Sequence, residues 1–538
     1  MLSTLRCRPI LSLSLILVLV LGVWLGWRMK GPYRWYSVNA VNAGNNQVET
    51  PGMLEVGVAK RDITPDLDSY DIFEDVSGSN SYEPRKGDTY TDRTGSGRFD
   101  PVWLGGFNYN RPATGVNDPL WVRAIAFRNN GVTLVMVSID SVGIFHDRFI
   151  AVRKGLDKDL EIDHVMFSST HTHSAPDTMG IWSYRYLINR LDFRYMELLH
   201  RACVEAVEEA VLNLAPAEVY YTKLRFDPGK GFARDSRKPI VYDEILGLMR
   251  FTRPGSGETI ATVMSWGNHP EALDGSNTVI SSDFPHYWRQ AVEDGLPGPH
   301  GMEGLGGMAI YFQGMLGGLI TPLRVEVPHR SGESSVRENS FRKAQYLGEN
   351  LAVKTVEALR GDDVRKMKDT RVAYAAKTIY LQVDNFYFSV AGILGLLHPG
   401  WYWGKIRSEL NAIRIGEVEC LTVPGELYPE IGDGGVESPE GADFPGDPVE
   451  VPPLRSRMRG EVNLIVNLAN DSIGYIIPKT QWDVEPPYAY GLDSPPYGEV
   501  NSIGPETAPI IHGKSLNLLE RLHAALEPDS EIESLIMD

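Results

Sequence analysis

Little in this chain can cross-link it: among 538 residues there are three cysteines, Cys7, Cys203 and Cys420, far apart from one another. That excludes a disulfide framework, and Cys203, inside a helical pattern, and Cys420 read as buried thiols. Basic charge is also short. With 52 Lys and Arg against 70 Asp and Glu the net charge is −18, which excludes nucleic acid as a partner because phosphate binding needs basic surface. Long apolar runs are absent except for residues 10–27, preceded by Arg6 and Arg8. That run predicts a transmembrane anchor with residues 1–9 in the cytoplasm; a cleaved signal peptide, with small residues at Ala40 and Ala43, is the competing reading. Both place the globular part of the chain outside the cytoplasm, anchored or secreted. Hydrophobic content of 43% with 23% charged residues describes an ordinary globular protein.

Residues 28–53 are polar and read as a tether. No internal repeat is visible and no linker-like break divides residues 54–527, so one large domain is expected, followed by a tail over 528–538. Buried-strand patterns begin at Val56 and Val132, precede His171, and recur over 259–266, 308–312, 371–383, 417–423 and 464–468. Helical patterns lie between them, near 147–156 and over 193–212, 284–293, 335–359 and 514–526. This alternation indicates an α/β fold with mixed sheets flanked by helices. Residues 66–101 read as a long loop. Within it Asp92, Thr94, Ser96 and Asp100 have the alternate spacing of an oxygen-ligand calcium loop, with Thr and Ser where such loops carry Asp or Asn; a solvated acidic loop is the other reading. The stretch 429–453, rich in Pro, Gly and acidic residues, reads as a flexible loop or lid.

The stretch that carries chemistry is His164-Val-Met-Phe-Ser-Ser-Thr-His171-Thr-His173-Ser-Ala-Pro176. Two histidines two apart at a strand end point to the same side. They suit a metal pair, or one metal ligand beside an imidazole free to move protons. Three further segments share the pattern of apolar run, turn and metal-capable side chain: His269 in WGNHPEAL, Glu426 in LTVPGELYPEIG and Tyr475 in NDSIGYIIP. In open α/β sheets ligands gather where strands end, so such segments can converge.

In order, these segments resemble the neutral/alkaline non-lysosomal ceramidase family. VGVAKRDITP is similar to its opening G-x-A-x-x-D-I-T-x-P signature, and STHTHSAP to its S-x-T-H-T-H-S-G-P. NHPEAL followed by VISSDF, with Asp283, is similar to its second histidine segment; TVPGEL matches its V-P-G-E, and NDSIGYII its tyrosine segment. The resemblance runs from about residue 54 to 490. It implies a zinc-dependent hydrolase that cleaves an amide, ceramide-like, or related acyl bond by metal-activated water. Zinc would be held by His171, His269, Glu426 and Tyr475. His173 would stabilise an oxyanion or move a proton, and Tyr488 would be a further catalytic side chain. The partner implied is a lipid or other small acyl substrate.

The departures are specific. Where ceramide-cleaving members carry N-L-G-D-x-S-P, this chain has Met315-Leu-Gly-Gly-Leu-Ile-Thr-Pro322. Gly318 replaces the aspartate and Thr321, one residue later, the serine, which leaves Thr321 without its partnering carboxylate. The chain also ends before the immunoglobulin-like C-terminal domain of ceramidases. A non-catalytic lipid- or glycan-binding descendant is therefore the alternative function. A metallo-β-lactamase-like site is excluded because Ala175 and Pro176 stand where H-x-H-x-D-H needs Asp and His.

Overall fold

Every residue of the strand Val132–Ile139 is buried, as a strand covered on both faces must be, and the first sheet is built around it. The computed structural model describes residues 9–28, 31–45, 52–182, 191–396 and 401–527. Helix α1 spans Pro9–Arg28. In the first sheet Glu55–Asp62, Trp121–Asn129 and Val132–Ile139 form an antiparallel meander. The chain then crosses over through helix α2, His146–Gly155, and returns as His164–Ser169, parallel to Val132–Ile139. Helix α3, Phe193–Leu212, covers the outer face, and the two residues Ala215–Pro216 close the far edge against Glu55–Asp62.

The same topology occurs twice more. In the second sheet Glu218–Arg225, Ile245–Thr252 and Thr259–Trp266 are antiparallel. Helix α4, Phe284–Asp294, leads to Met308–Gln313, parallel to Thr259–Trp266. Helix α5, Phe341–Arg360, follows, and Arg365–Lys366 takes the far edge. In the third sheet Val372–Gln382, Lys405–Ile415 and Val418–Thr422 are antiparallel, with helix α6, Phe386–Leu394, inserted between the first two. After the short helix α7, Pro429–Asp433, Val462–Val466 runs parallel to Val418–Thr422. Helices α8, Tyr497–Val500, and α9, Thr507–Leu526, complete the described chain.

Among the described residues no strand follows the third unit's helix to take its far edge, and Asn39–Asn42 from the N-terminal side supplies it, antiparallel to Val372–Gln382. Residues 39–42, inside the expected tether over 28–53, are thus part of the third sheet. Val41 and Ala43 are buried in the core, Arg521 of α9 donates to the Asn39 side chain at 2.8 Å, and Asn130 donates to the Ala43 carbonyl at 2.7 Å.

The inner faces of the three sheets share one core: Ile125 and Phe127 from the first, Met249 and Phe251 from the second, Ile413 and Cys420 from the third. The helices lie outside it, α3 on the first sheet, α4 and α5 on the second, α9 on the third. Cys203 and Cys420 are buried free thiols, as expected; Cys7 and residues 528–538 lie outside the described residues. The expected α/β class with mixed sheets and flanking helices holds. Among the described residues no helix is long and apolar enough to cross a membrane, so the transmembrane reading of residues 10–27 is not supported, although they do lie in α1. Helix α5 starts at Phe341 rather than 335, with Ser340 accepting from Lys343 N as its cap, as capping chemistry favours. The expected loop 429–453 begins with the buried turn of α7.

Removing the edge strand tests its place in the fold. A chain beginning at Gly44 should be less stable than one beginning at Gly31 by about 2 kcal/mol, from lost burial of Val41 and lost edge pairing. Urea unfolding of the two reads this directly; superimposable curves would contradict it.

Candidate metal-binding active site

A parallel strand pair leaves two carboxyl-terminal ends at one sheet edge, the place where side chains on the following turns gather around a ligand. Each unit here has one such pair, and their ends meet. The first unit supplies Val142, after its third strand, and His171 and His173, after its fourth. The second supplies His269 and Glu271 after Thr259–Trp266, and Ile320 and Thr321 after Met308–Gln313. The third supplies Glu426, after Val418–Thr422, and Tyr475, after Val462–Val466. Glu426–Leu427 and Tyr475–Ile476 pair as short parallel strands with Glu426 directly opposite Tyr475, so backbone register alone places that carboxylate beside that phenol.

The imidazoles are aimed. Nδ1 of His171 lies 2.5 Å from the Val142 carbonyl, and Nδ1 of His269 lies 2.6 Å from the Ile320 carbonyl. A carbonyl can only accept, so each Nδ1 carries a proton and each Nε2 is turned to the interior. Metal-ligating histidines are commonly steadied from behind in this way. Both Nε2 atoms face Glu426, His269 at 3.1 Å and His171 at 3.7 Å. His173 Nε2 lies 3.3 Å from His171 Nε2. Among the described residues His171, His173 and His269 form a group able to hold a metal ion, their ligating atoms within 4.8 Å of one another. His171 adopts a left-handed backbone with φ 68°, a conformation that costs about 1 kcal/mol or more outside glycine and concentrates at functional sites.

Burial sets the charges. It holds the His171 pKa down to about 4 against the pull of Glu426, and holds His173 well below its usual value, helped by the neighbouring His171, His269 and Arg111. Against the same burial, Glu426 and Glu271 hold the His269 value up. Burial also opposes the Glu426 charge, but His171, His269 and the hydrogen-bonding Tyr475 hydroxyl keep its carboxyl below the usual range. Burial pushes Tyr475 itself well up.

Around His173 the structure shows what the sequence pattern does not. Its Nδ1 lies 3.4 Å from the Glu271 carboxylate, and the Thr321 hydroxyl, near enough to hold the Glu271 carboxyl down against its burial, lies beside that carboxylate. Thr321, expected to lack a partnering carboxylate, thus has Glu271, from the other strand of the same parallel pair, as its carboxylate neighbour. Gly318 has φ 72°, and a Cβ there would sit 3.2 Å from the Asp235 carboxylate, so Asp235 fills the space beside it. The fully buried Arg111 holds the His173 turn, donating to the His173 carbonyl at 2.6 Å and to the Gly105 carbonyl at 2.7 Å. Gly106 passes so close that a Cβ would lie 2.5 Å from the His173 ring.

The cluster opens into a cavity of about 170 Å³ whose walls include Val142, Phe145, Trp182, Phe388, Trp401 and Ile503. His171, His173, Glu426 and Tyr475 all line it. Tyr488 does not: it is half-buried on the segment after α7, packed by Gly441. The tyrosine brought to the cavity is Tyr497, on α8, its ring 6.1 Å from that of Tyr475. The calcium expectation finds no support. Asp92 accepts from the Gly95 and Gly97 N–H groups and from Thr94, and Ser96 donates to Asp100; the carboxylates close the loop's own turns.

No protein-family model and no curated protein matches the sequence. Solved structures do match the fold. The crystal structure of neutral ceramidase from Pseudomonas aeruginosa superposes with a TM-score of 0.61 at 15% identity, covering 89% of this chain and 76% of that one. A ceramidase complexed with C2 gives the same values. The chain therefore has the fold of the neutral ceramidases, at a distance where sequence comparison finds nothing.

The buried imidazoles make stability depend on pH in the metal-free protein. His171 and the buried His146 are both held down to about 4, and His173 well below its usual value, each by burial first. The unfolded chain takes up protons at about 6.5 where these folded groups do not, so their contribution to stability falls as pH drops from about 6.5 toward 4. His269, with its value raised, runs the other way, as do Asp235, Asp283 and Asp433, each pushed up to about 7 by desolvation, and Glu430, pushed up to about 8 by burial. The His171 share is therefore read as a difference: as pH drops from about 6.5 toward 4, the melting temperature of chelator-treated His171→Asn should rise relative to that of the parent. Parallel profiles would contradict the neutral assignment of His171.

Proposed function

We propose that this protein is a zinc-dependent hydrolase that cleaves an amide or ester bond of an acylated, lipid-like substrate. One observation carries the reading. Two imidazole Nε2 atoms, each aimed by a backbone carbonyl, face a single buried carboxylate at the wall of a largely apolar cavity. Two histidines and a glutamate are the donor set of many catalytic zinc sites, and the borderline nitrogen and oxygen donors suit zinc better than calcium or magnesium. His171, His269 and Glu426 would hold the ion, with the Tyr475 hydroxyl beside the carboxylate. A bound zinc ion supplies Lewis acidity, polarising a carbonyl and acidifying water. The charges count in its favour: His171 and His173 are held neutral beside the charged Glu426 carboxylate, where a cation would compensate the buried negative charge.

His173 handles the proton in this reading. Its ring borders both the cluster and the cavity, and Glu271, 3.4 Å from its Nδ1, would steady the charged form, the part a carboxylate plays toward a catalytic histidine. Thr321, on the far side of Glu271, helps orient that carboxylate. The apolar walls take the acyl chain and exclude water, which strengthens each electrostatic contact in the site. The fold likeness to neutral ceramidase agrees with an N-acyl substrate.

Metal analysis tests the site. About one zinc per chain is expected, lost in His171→Ala and His269→Ala and weakened in Glu426→Gln, where a neutral amide replaces an anionic oxygen. Unchanged zinc in both histidine variants would sink the assignment. Fatty-acid release from a panel of N-acyl and O-acyl lipids tests the chemistry. On whichever substrate turns over, His173→Ala should lower kcat/KM on the order of a hundredfold, and Thr321→Val less than about tenfold, a barrier change of about 1.4 kcal/mol. A dead Thr321→Val beside a nearly normal His173→Ala would reverse these roles. Bound zinc with no turnover of any substrate would favour the binding-protein reading.

A further inference from the structure

Helix α6, FYFSVAGIL, has no polar face at all: a serine, a glycine and the tip of its tyrosine are its only breaks from apolar side chains. A helix apolar all round is buried in a protein or meets lipid. Here one side is accounted for. Phe388 and Gly392, four apart on one face, wall the cavity together with Trp401, and Gly392 packs so tightly that a Cβ would lie 2.4 Å from the Trp401 ring. The other sides are open. Phe386 is 72% exposed and Tyr387 80%, with Val390 and Ile393 also uncovered. The helix starts cleanly, its first N–H groups capped by Asn385, so this exposure belongs to an ordered element.

A second uncovered apolar helix joins the fold beside it. The chain leaving α1 is moored to the strand pair that ends in Trp401: Arg407 donates to the Tyr33 carbonyl at 2.6 Å and to the Pro32 carbonyl at 3.1 Å, and Tyr402 donates to the Arg34 carbonyl at 3.3 Å. Leu13, Leu17, Val20 and Val23 of α1 are exposed. The chain leaving one exposed apolar helix is thus tied to the strands next to Trp401, on which the other, α6, packs as part of the cavity wall.

We propose that α6 is a membrane-docking element: Phe386, Tyr387, Val390 and Ile393 enter the interfacial layer of a lipid bilayer and place the cavity mouth against it. A bilayer fits better than a protein partner because the patch has no charge or hydrogen-bonding pattern to fix a register. The aromatic pair suits the headgroup boundary, where one end of a tyrosine stays wet. The net charge of −18 would be repelled by anionic headgroups, so the surface expected is zwitterionic. The proposed function enters only as the reason a lipid would travel from this surface into the cavity.

The test uses the full chain with Cys7→Ser and Tyr387→Cys, labelled with an environment-sensitive fluorophore, since Cys203 and Cys420 are buried. A control carries the label at Ser256→Cys, on an exposed hairpin turn. With phosphatidylcholine vesicles, emission at position 387 should shift to the blue and rise several-fold while position 256 stays unchanged. No response at 387, whether or not the protein floats with vesicles, overturns the inference; so does a blue shift that needs no vesicles and grows with protein concentration, which would mark a contact between copies. A second arm compares Phe386→Ser/Tyr387→Ser with the parent. Turnover of a vesicle-embedded acyl lipid should fall about tenfold, and that of a short-chain soluble substrate should not change; equal rates on both would overturn the docking role. A label response with no turnover of either substrate supports the docking inference and sinks the hydrolase reading.

Discussion

Everything at this site depends on the parallel pairing of the fourth strand in each unit. An antiparallel fourth strand would send its end to the opposite edge of the sheet; a parallel one leaves two ends together. Three sheets packed on one core, each with such a pair, bring six strand ends to one place. His171, His269 and Glu426 each come from a different unit, so the donor set exists only when the three sheets are packed. The backbone shares in the site directly, since the carbonyls that orient His171 and His269 belong to Val142 and Ile320, on the strand ends adjacent to those bearing the histidines. The N-terminal strand has a matching place: two units are edged by the strand that follows their helix, and the third borrows its edge from residues 39–42.

Concentrating titratable groups in a dry space is costly unless each charge has a partner. The cluster meets this by holding His171 and His173 neutral while His269 shares its proton with Glu426. A cation in the centre would take the Nε2 lone pairs of His171 and His269 and the Glu426 carboxylate at once. The second carboxylate, Glu271, stands outside that centre, bridging His173 and Thr321. In the proposed mechanism each carboxylate has a separate task, one toward a metal and one toward a proton.

The proposed donors each sit in a short, local pattern of apolar strand, turn and metal-capable side chain, but the pattern alone does not single them out among 12 histidines and 70 acidic residues; the resemblance to the ceramidase family does. Buried runs such as Val132–Ile139 and Thr259–Trp266 are plain in the sequence. The threefold topology is invisible there, since it lives in hydrogen-bond pairing and leaves no shared residues. Lys405–Ile415 hides for a different reason. Its Arg407, Glu409 and Asn411 are buried, and Glu409 is clamped by Arg153 from α2 at 2.7 and 2.8 Å, so a core strand carries the side chains of a surface one. Glu271 stands in view two residues after His269, but its contacts with His173 and Thr321 join three separate strand ends. Tyr488 and Tyr497 cannot be told apart by pattern; the turn into α8 brings the second to the cavity. Asn39–Asn42 is hard to read as a strand because only Val41 of its four residues is buried and its place in the sheet rests on backbone pairing.

The central claim is that three strand-end carriers build one metal centre. The most direct measurement is anomalous diffraction at the zinc edge on crystals of the metal-loaded protein. The account predicts a single strong peak bonded to His171 Nε2, His269 Nε2 and the Glu426 carboxylate, with His173 turned toward Glu271. A peak elsewhere, or one held by His171, His173 and His269 with Glu426 turned away, would contradict it.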